Sequence, residues 1–365
     1  MELALYCPKF GYYERGADRV GCHGDFYTSV STGSLFGEML AYQFALWLED
    51  VETRNAGCRT GGAERGVHFA FGVPRSAFQL VEGGAHDGQL ALDIMNWLQR
   101  HRPHLLDRLE YWLIEPSQER QVWQRAKLEP VAGRVFWAQS LQSLPTGGVH
   151  GVIFSNELLD AFPVHRLAWD RTSRKWIEWG VGWRGDHFVW SRLIDVKRDW
   201  DSELARAGFD LTPELKAVLP DGFVIEHCPA AETWWRQAAA ALCHGWLLTI
   251  DYGFIAEQFL APGRGKGTLR AYRRHQVSGD VLANPGEQDL TAHVNFTQIQ
   301  RAGEEEGLKT EGFFTQARFL TAIAGRMWPD ATGALSPSQA RQFQSLTHPE
   351  HLSRSFRALV QSRNR

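Results

Sequence analysis

The 365-residue chain predicts a doubly wound α/β fold. Three observations carry that prediction. Short apolar runs, beginning near residue 78, alternate with segments of helical periodicity. Two of these runs end in an acid, at Glu82 and Glu115. The first leads through a turn with three glycines, "QLVEGGAHDGQL" at 79 to 90, directly into a helical pattern. Strand, glycine-rich turn and helix in that order aim free backbone N–H groups and a helix N-terminus at a ligand above the sheet.

Taken along the chain, residues 1 to 50 read as an N-terminal lid segment followed by a helix. "SLFGEMLAYQFALWLED" places Leu35, Phe36, Met39, Leu40, Phe44, Trp47 and Leu48 on one stripe. Residues 51 to 77 carry glycines and mixed charge without periodicity, which predicts an exposed loop. The core is expected over 78 to 325. Its first helix, 89 to 101, repeats apolar residues at Leu90, Ile94, Trp97 and Leu98. "LEYWLIEPS", "RVFWAQS", "GVIFSNELLDAFP" and "GWLLTIDYG" supply the second to fifth strands. Between the fourth and fifth, about 164 to 222 reads as an insertion with a helical part, in which tryptophans alternate around a Gly-Asp turn and predict a β-hairpin. Thr297 and Gln300 stand in capping-box spacing, predicting a helix that starts there. "GLKTEGFFTQARFL" predicts a last strand running into a helix, and 326 to 365 predict a polar helical tail.

Composition excludes more than it identifies. Five cysteines, at 7, 22, 58, 228 and 243, are an odd number without a C-x-x-C pair, against a disulfide framework or a structural zinc site. No metal is expected. Thirty-nine basic and 42 acidic residues are interleaved for a net charge of -3, so no field favours nucleic acid or an anionic membrane. No apolar run approaches the ~20 residues of a membrane span. "MELALYCPKFGYY" has neither the charged start of a signal peptide nor the Arg and Ser content of a transit peptide, so a cytoplasmic location is expected.

The glycine turn is not a dinucleotide fingerprint, because G-x-G-x-x-G read from Gly84 meets His86 where glycine belongs. Glu82 at the strand end, with Gly84 and Gly88 giving clearance, suits S-adenosylmethionine instead. Glu115, directly after "YWLI", is placed to accept both ribose hydroxyls. The fourth strand ends where the strand order should reverse, so "SNELLDAFP" at 155 to 163 is expected beside the reacting group. If Glu157 and Asp160 open a helical turn, their i, i+3 spacing lets both carboxylates face one cationic acceptor. The competing reading is an acid pair that complements a helix N-terminus. Asn156 is placed to orient the amino-acid end of the cofactor.

With these residues identified, the chain resembles the MidA-like family of class I methyltransferases. The resemblance rests on "ALYCPKFGYY" at 4 to 13, "GDFYTS" at 24 to 29, "VEGGAHDGQL", "IEPS" at 114 to 117, "SNELLDAFPVHRL" at 155 to 167, "LTIDYG" at 248 to 253 and "PGEQDLTAHVNF" at 285 to 296. It implies a seven-stranded Rossmann-like sheet, S-adenosylmethionine as cofactor, and a protein substrate methylated on arginine, for the mitochondrial member a subunit of complex I. It makes Glu82, Gly84, His86, Gly88 and Glu115 cofactor residues, and Asn156, Glu157 and Asp160 the catalytic cluster. Asp25, Thr28 and Ser29 would belong to a lid over the cofactor; turn and cap chemistry is the competing account of "TSVSTGS". The family loop runs E-x-G-P-G-x-G, whereas Ala85 and His86 stand here for proline and the middle glycine. With negative φ, His86 points away or donates to the cofactor carboxylate; with positive φ it crowds the site; a solvent-facing loop histidine is the plain alternative. Two other functions stay open: a non-catalytic assembly factor of the same fold, and methylation of a small molecule. His165 and His275 read as structural histidines, and "GRGKGT" at 263 to 268 lacks phosphate-loop spacing.

Overall fold

A computed structural model describes residues 1–15, 28–58, 78–194, 197–273, 276–329, 335–348 and 355–364, excepting the side chains of 54–58. Strands β1 (Phe78–Gly83), β2 (Leu109–Ile114), β3 (Val135–Ala138) and β4 (Val149–Asn156) open the main sheet. A separate four-stranded sheet follows, built from β5 (His165–Asp170), β6 (Lys175–Arg184), β7 (His187–Arg192) and β8 (Val224–His227). The chain returns to the main sheet with β9 (Leu242–Phe254). A third, small sheet comprises β10 (Arg270–Arg273), β11 (Gln276–Ser278) and β12 (Asp289–Thr291), and β13 (Val294–Asn295) pairs with the end of β9. Strands β14 (Lys309–Thr315) and β15 (Phe356–Arg363) complete the main sheet.

The seven-strand order is β14-β15-β9-β4-β1-β2-β3. Strands β3, β2, β1, β4 and β9 are parallel, and β15 is antiparallel to both β9 and β14. From β1 the chain builds outward to β2 and β3 on one side, then crosses back to β4 on the other. That reversal opens a crevice above the carboxyl ends of β1 and β4.

The strands are apolar runs because both faces are covered. Leu80, Val152, Phe154 and Leu248 pack into one core with helices Leu35–Cys58, Gln89–His101 and Gln316–Met327. Val81, Ile153, Leu247 and Leu359 face the other, under helices Pro229–Ala241 and Phe296–Glu305. Successive residues of one strand therefore serve opposite layers, as the pleat requires.

Several expectations are corrected. The first long helix continues through 51 to Cys58, where a loop was expected. Helix Phe296–Glu305 is capped by Asn295, whose side chain accepts from Thr297 N and Gln298 N, so the start lies ahead of the Thr297 and Gln300 pair. The tail beyond 326 is not only helical: β15 enters the main sheet between β9 and β14. Its buried run Ala358, Leu359 and Val360 is too short and too closely flanked by polar residues to stand out. The inserted unit also runs past 222, since β8 pairs with β5. Leu167, Trp169, Trp176 and Trp200 give it a core of its own.

Candidate functional site

A cavity of about 1190 Å³ lies over the carboxyl ends of β1, β2 and β4. Its walls include Glu82, Gly84 and His86 from the first turn, Glu115 from the second, and Asn156 and Glu157 from the fourth strand's end. Thr28 also lines it, as do Glu2, Tyr6 and Tyr13 of the N-terminal segment. Ser29, Gly88 and Asp160 are not on its wall, and Asp25 lies outside the described residues.

The first turn is held from below. Tyr111 Oη donates to Glu82 Oε2 at 2.7 Å, and burial pushes the Glu82 carboxyl up to about 8. Gly84 has φ 79°, and a Cβ there would lie 3.0 Å from Leu158, so glycine lets the turn after β4 close against the turn after β1. Gly88, at φ 90°, does a different task. It precedes helix Gln89–His101 and leaves room for Leu128, so it serves packing below the cavity rather than its wall.

His86 takes the positive-φ course, with φ 47° in the left-handed region that favours glycine. Its carbonyl accepts from Gln124 Nε2 at 2.9 Å, and the same Nε2 donates to Glu115 Oε2 at 3.1 Å. Gln124 thus ties the β1 and β2 turns together. It escaped the sequence reading because a glutamine inside a helical pattern normally reads as a solvated position. Glu115 Oε1 accepts from Ser117 N at 2.8 Å and pairs with Arg120 Nη2 at 2.9 Å. The second turn therefore neutralises its own acid, which the acid's position alone did not reveal.

At the end of β4 the geometry differs. Glu157 Oε1 accepts from Asn156 Nδ2 at 3.1 Å and from Ser29 N at 2.9 Å. Glu157 Oε2 and Asn156 Oδ1 are buried and have no hydrogen-bond partner among the described residues. Burial pushes the Glu157 carboxyl up to about 8. Ser29 acts through its backbone N–H on Glu157, and its hydroxyl bonds to Gln316.

Glu157 lines the cavity and Asp160 does not, so the structure does not bring the expected carboxylate pair to its wall. Glu157 has φ 51°, and Leu159–Ala161 form a tight 3-10 turn, so no regular helical phase relates the two residues. Asp160 is buried off the cavity wall, where desolvation, then the charges of Asp251, Asp289 and Glu157, hold its carboxyl well above the usual range. Asp251 Oδ2 accepts from Leu158 N at 3.1 Å and Leu159 N at 2.8 Å, fixing the turn that presents Glu157. "LTIDYG" carried this residue within a motif, without a geometric hint of its task.

His165 does line the cavity, but its Nδ1 lies 2.6 Å from Glu178 Oε1 and its Nε2 3.0 Å from Arg198 Nη1. Both ring nitrogens have protein partners, as a structural histidine would. His275 lies outside the described residues. No group of three or more His, Cys, Asp or Glu among the described residues is placed to hold a metal ion.

The cavity offers buried carboxyl groups at three strand ends, a glycine turn and an orphaned acceptor pair, a set of acceptors that fits a ribose-bearing cation such as S-adenosylmethionine. Comparison with known proteins agrees. Residues 67–314 match the profile of an S-adenosyl-L-methionine-dependent methyltransferase family. A solved methyl transferase-like superfamily member from Burkholderia thailandensis, bound to S-adenosyl-homocysteine, is 30% identical with a TM-score of 0.79, over 99% of this chain and 86% of that one. The protein arginine methyltransferase NDUFAF7 of Xenopus laevis mitochondria is 28% identical over 82% of this chain, which spans 64% of that protein's length. Its Drosophila melanogaster homologue is 26% identical over 99% of this chain and 79% of its own length.

Proposed function

The chain belongs to this family of S-adenosyl-L-methionine-dependent methyltransferases, and from that premise we propose that it methylates an arginine side chain of a protein substrate. The observation that carries the proposal is the pair of unpartnered acceptors, Asn156 Oδ1 and Glu157 Oε2, at the end of the strand beside the topological reversal. A guanidinium presents several N–H donors in one plane, and such a pair complements two of them. The names of the frog and fly relatives agree with this acceptor.

When bound, S-adenosylmethionine supplies a methyl group made electrophilic by the sulfonium. The protein's part is to place a nitrogen in line with it and to accommodate charge. Burial keeps Glu157 largely protonated near neutral pH until an acceptor enters; the guanidinium then favours its ionised form, which holds the cation and biases its positive charge toward the nitrogen that is not attacked. The high proton affinity of Glu157 suits Oε2 to take up the proton the acceptor nitrogen must lose. Asp251 holds the Leu158–Leu159 backbone, and with it the position of Glu157.

Purified protein should transfer labelled methyl groups into the proteins of an extract from cells that lack this chain. Label confined to the small-molecule fraction would replace arginine with a metabolite acceptor. Absence of any transfer, with S-adenosyl-homocysteine still bound, would leave the assembly-factor reading.

A further inference from the structure

The ribose end of the cavity contains one more unsatisfied group, the side chain of Arg120. This residue lines the cavity yet is only 9% exposed. Its Nη2 pairs with Glu115 Oε1 at 2.9 Å and its Nη1 lies 3.4 Å from Glu14 Oε1, while Nε is buried with no partner among the described residues. Glu14 is itself fixed, its Oε2 accepting from Ser117 Oγ at 2.6 Å.

Counting donors at Glu115 shows why this matters. A carboxylate offers about four lone-pair directions. Ser117 N and Arg120 Nη2 occupy Oε1, and Gln124 Nε2 occupies one direction of Oε2. About one remains, enough for one ribose hydroxyl proton and too few for both. A hydroxyl is also an acceptor, and Glu115 has nothing to donate. The unpartnered N–H beside it does.

We infer that Arg120 is a specificity-determining cofactor residue that reads the ribose jointly with Glu115: the carboxylate accepts a hydroxyl proton while the guanidinium Nε–H donates to a diol oxygen. Glu14 sets the reach of that guanidinium from the N-terminal segment. The site thus recognises a vicinal diol through a donor and an acceptor, and a ligand lacking one hydroxyl leaves the buried N–H or the carboxylate lone pair without a partner.

The test is a cycle between protein and ligand, measured by calorimetry with S-adenosyl-homocysteine and its 2′-deoxy and 3′-deoxy analogues. Wild-type protein should bind at least one deoxy analogue about tenfold more weakly or worse. In Arg120→Lys, which keeps a cation between Glu14 and Glu115 but lacks the planar fork, the parent ligand should weaken about tenfold and the discrimination against at least one of the two analogues fall to about twofold, Glu115 retaining its own contact. Arg120→Met should behave alike. Equal losses for all three ligands would reduce Arg120 to a structural ion pair and overturn the inference. So would undiminished binding of S-adenosyl-homocysteine in the Lys variant, or a wild-type protein indifferent to both hydroxyls, a result that needs no variant to fold.

Discussion

The two halves of the cavity treat their carboxyl groups in opposite ways. On the cofactor side, Glu82 is bonded by Tyr111, and Glu115 by Ser117, Gln124 and Arg120. At the end of β4, Glu157 Oε2 and Asn156 Oδ1 are buried without partners among the described residues. An unsatisfied buried acceptor costs about 1–3 kcal/mol. A fold retains that cost where a ligand removes it, so the contrast separates carboxyls already held by the chain from one left for what enters; on the cofactor side the unpartnered group among the described residues is Arg120 Nε.

Substitutions can break this contrast from either side. The largest effect is expected for Glu157→Gln, which keeps shape and removes the charge that holds the acceptor. Methyl transfer should fall by about 10² or more while S-adenosyl-homocysteine affinity changes little. A parallel loss of cofactor affinity would merge the two halves. Asp160→Asn, off the wall, should spare most of the transfer rate; a loss as large as that of Glu157→Gln would restore the carboxylate pair. Glu115→Ala acts on the other half and should weaken cofactor binding by about 10- to 100-fold through a lost charge-assisted bond. Calorimetry showing unchanged affinity would remove Glu115 from the site.

The acids also give the unliganded fold a pH signature. Glu82 and Glu157 are pushed up to about 8 and Asp251 to about 7, each chiefly by burial, from ordinary values near 4. Between those limits the folded chain binds more protons than the unfolded one, so these groups make stability fall as pH rises. Buried His227 and His293, lowered to about 4, act in the opposite sense only below their unfolded value of 6.5. From about pH 6.5 to 8.5 the three carboxyls should outweigh the opposing Met1 amino terminus, which burial holds below its ordinary value of 8.0, and lower Tm by several degrees, with a shallower slope in Glu157→Gln. A flat profile in the wild type would mean these carboxyls titrate normally. The smallest effect belongs to His86→Gly. Relief of a left-handed φ at a non-glycine residue, about 1 kcal/mol, is partly offset by glycine's backbone entropy. Melting should change little, and cofactor affinity should stay equal or improve; a marked loss would make the imidazole a ligand.

How far the sequence reached follows the same division. The alternation of apolar runs and helical stripes exposed the parallel sheet, because strands buried on both faces must be apolar throughout. Glu82, Gly84 and Glu115 were visible because a strand end followed by a turn has a fixed direction. Gln124, Arg120 and Asp251 were not, since each sits in a helix or strand with no local mark and reaches a partner remote in the chain, His86, Glu14 and Leu159 respectively. The Glu157 and Asp160 pairing failed for a local reason: one left-handed residue at 157 cancels the helical periodicity on which i, i+3 reasoning depends. Strand β15 was hidden because its partners, β9 and β14, are set by topology rather than by neighbouring sequence.

The central claim is an arginine acceptor held at Glu157, and amino-acid analysis of the methylated product tests it most directly. Extract protein from cells lacking this chain would be incubated with labelled S-adenosylmethionine and purified enzyme, then hydrolysed to amino acids. Label should appear in methylarginine, reduced about 10²-fold with a Glu157→Gln protein of unaltered S-adenosyl-homocysteine affinity. Label recovered in a different amino acid, or in methylarginine at equal rates with and without the Glu157 charge, would contradict it.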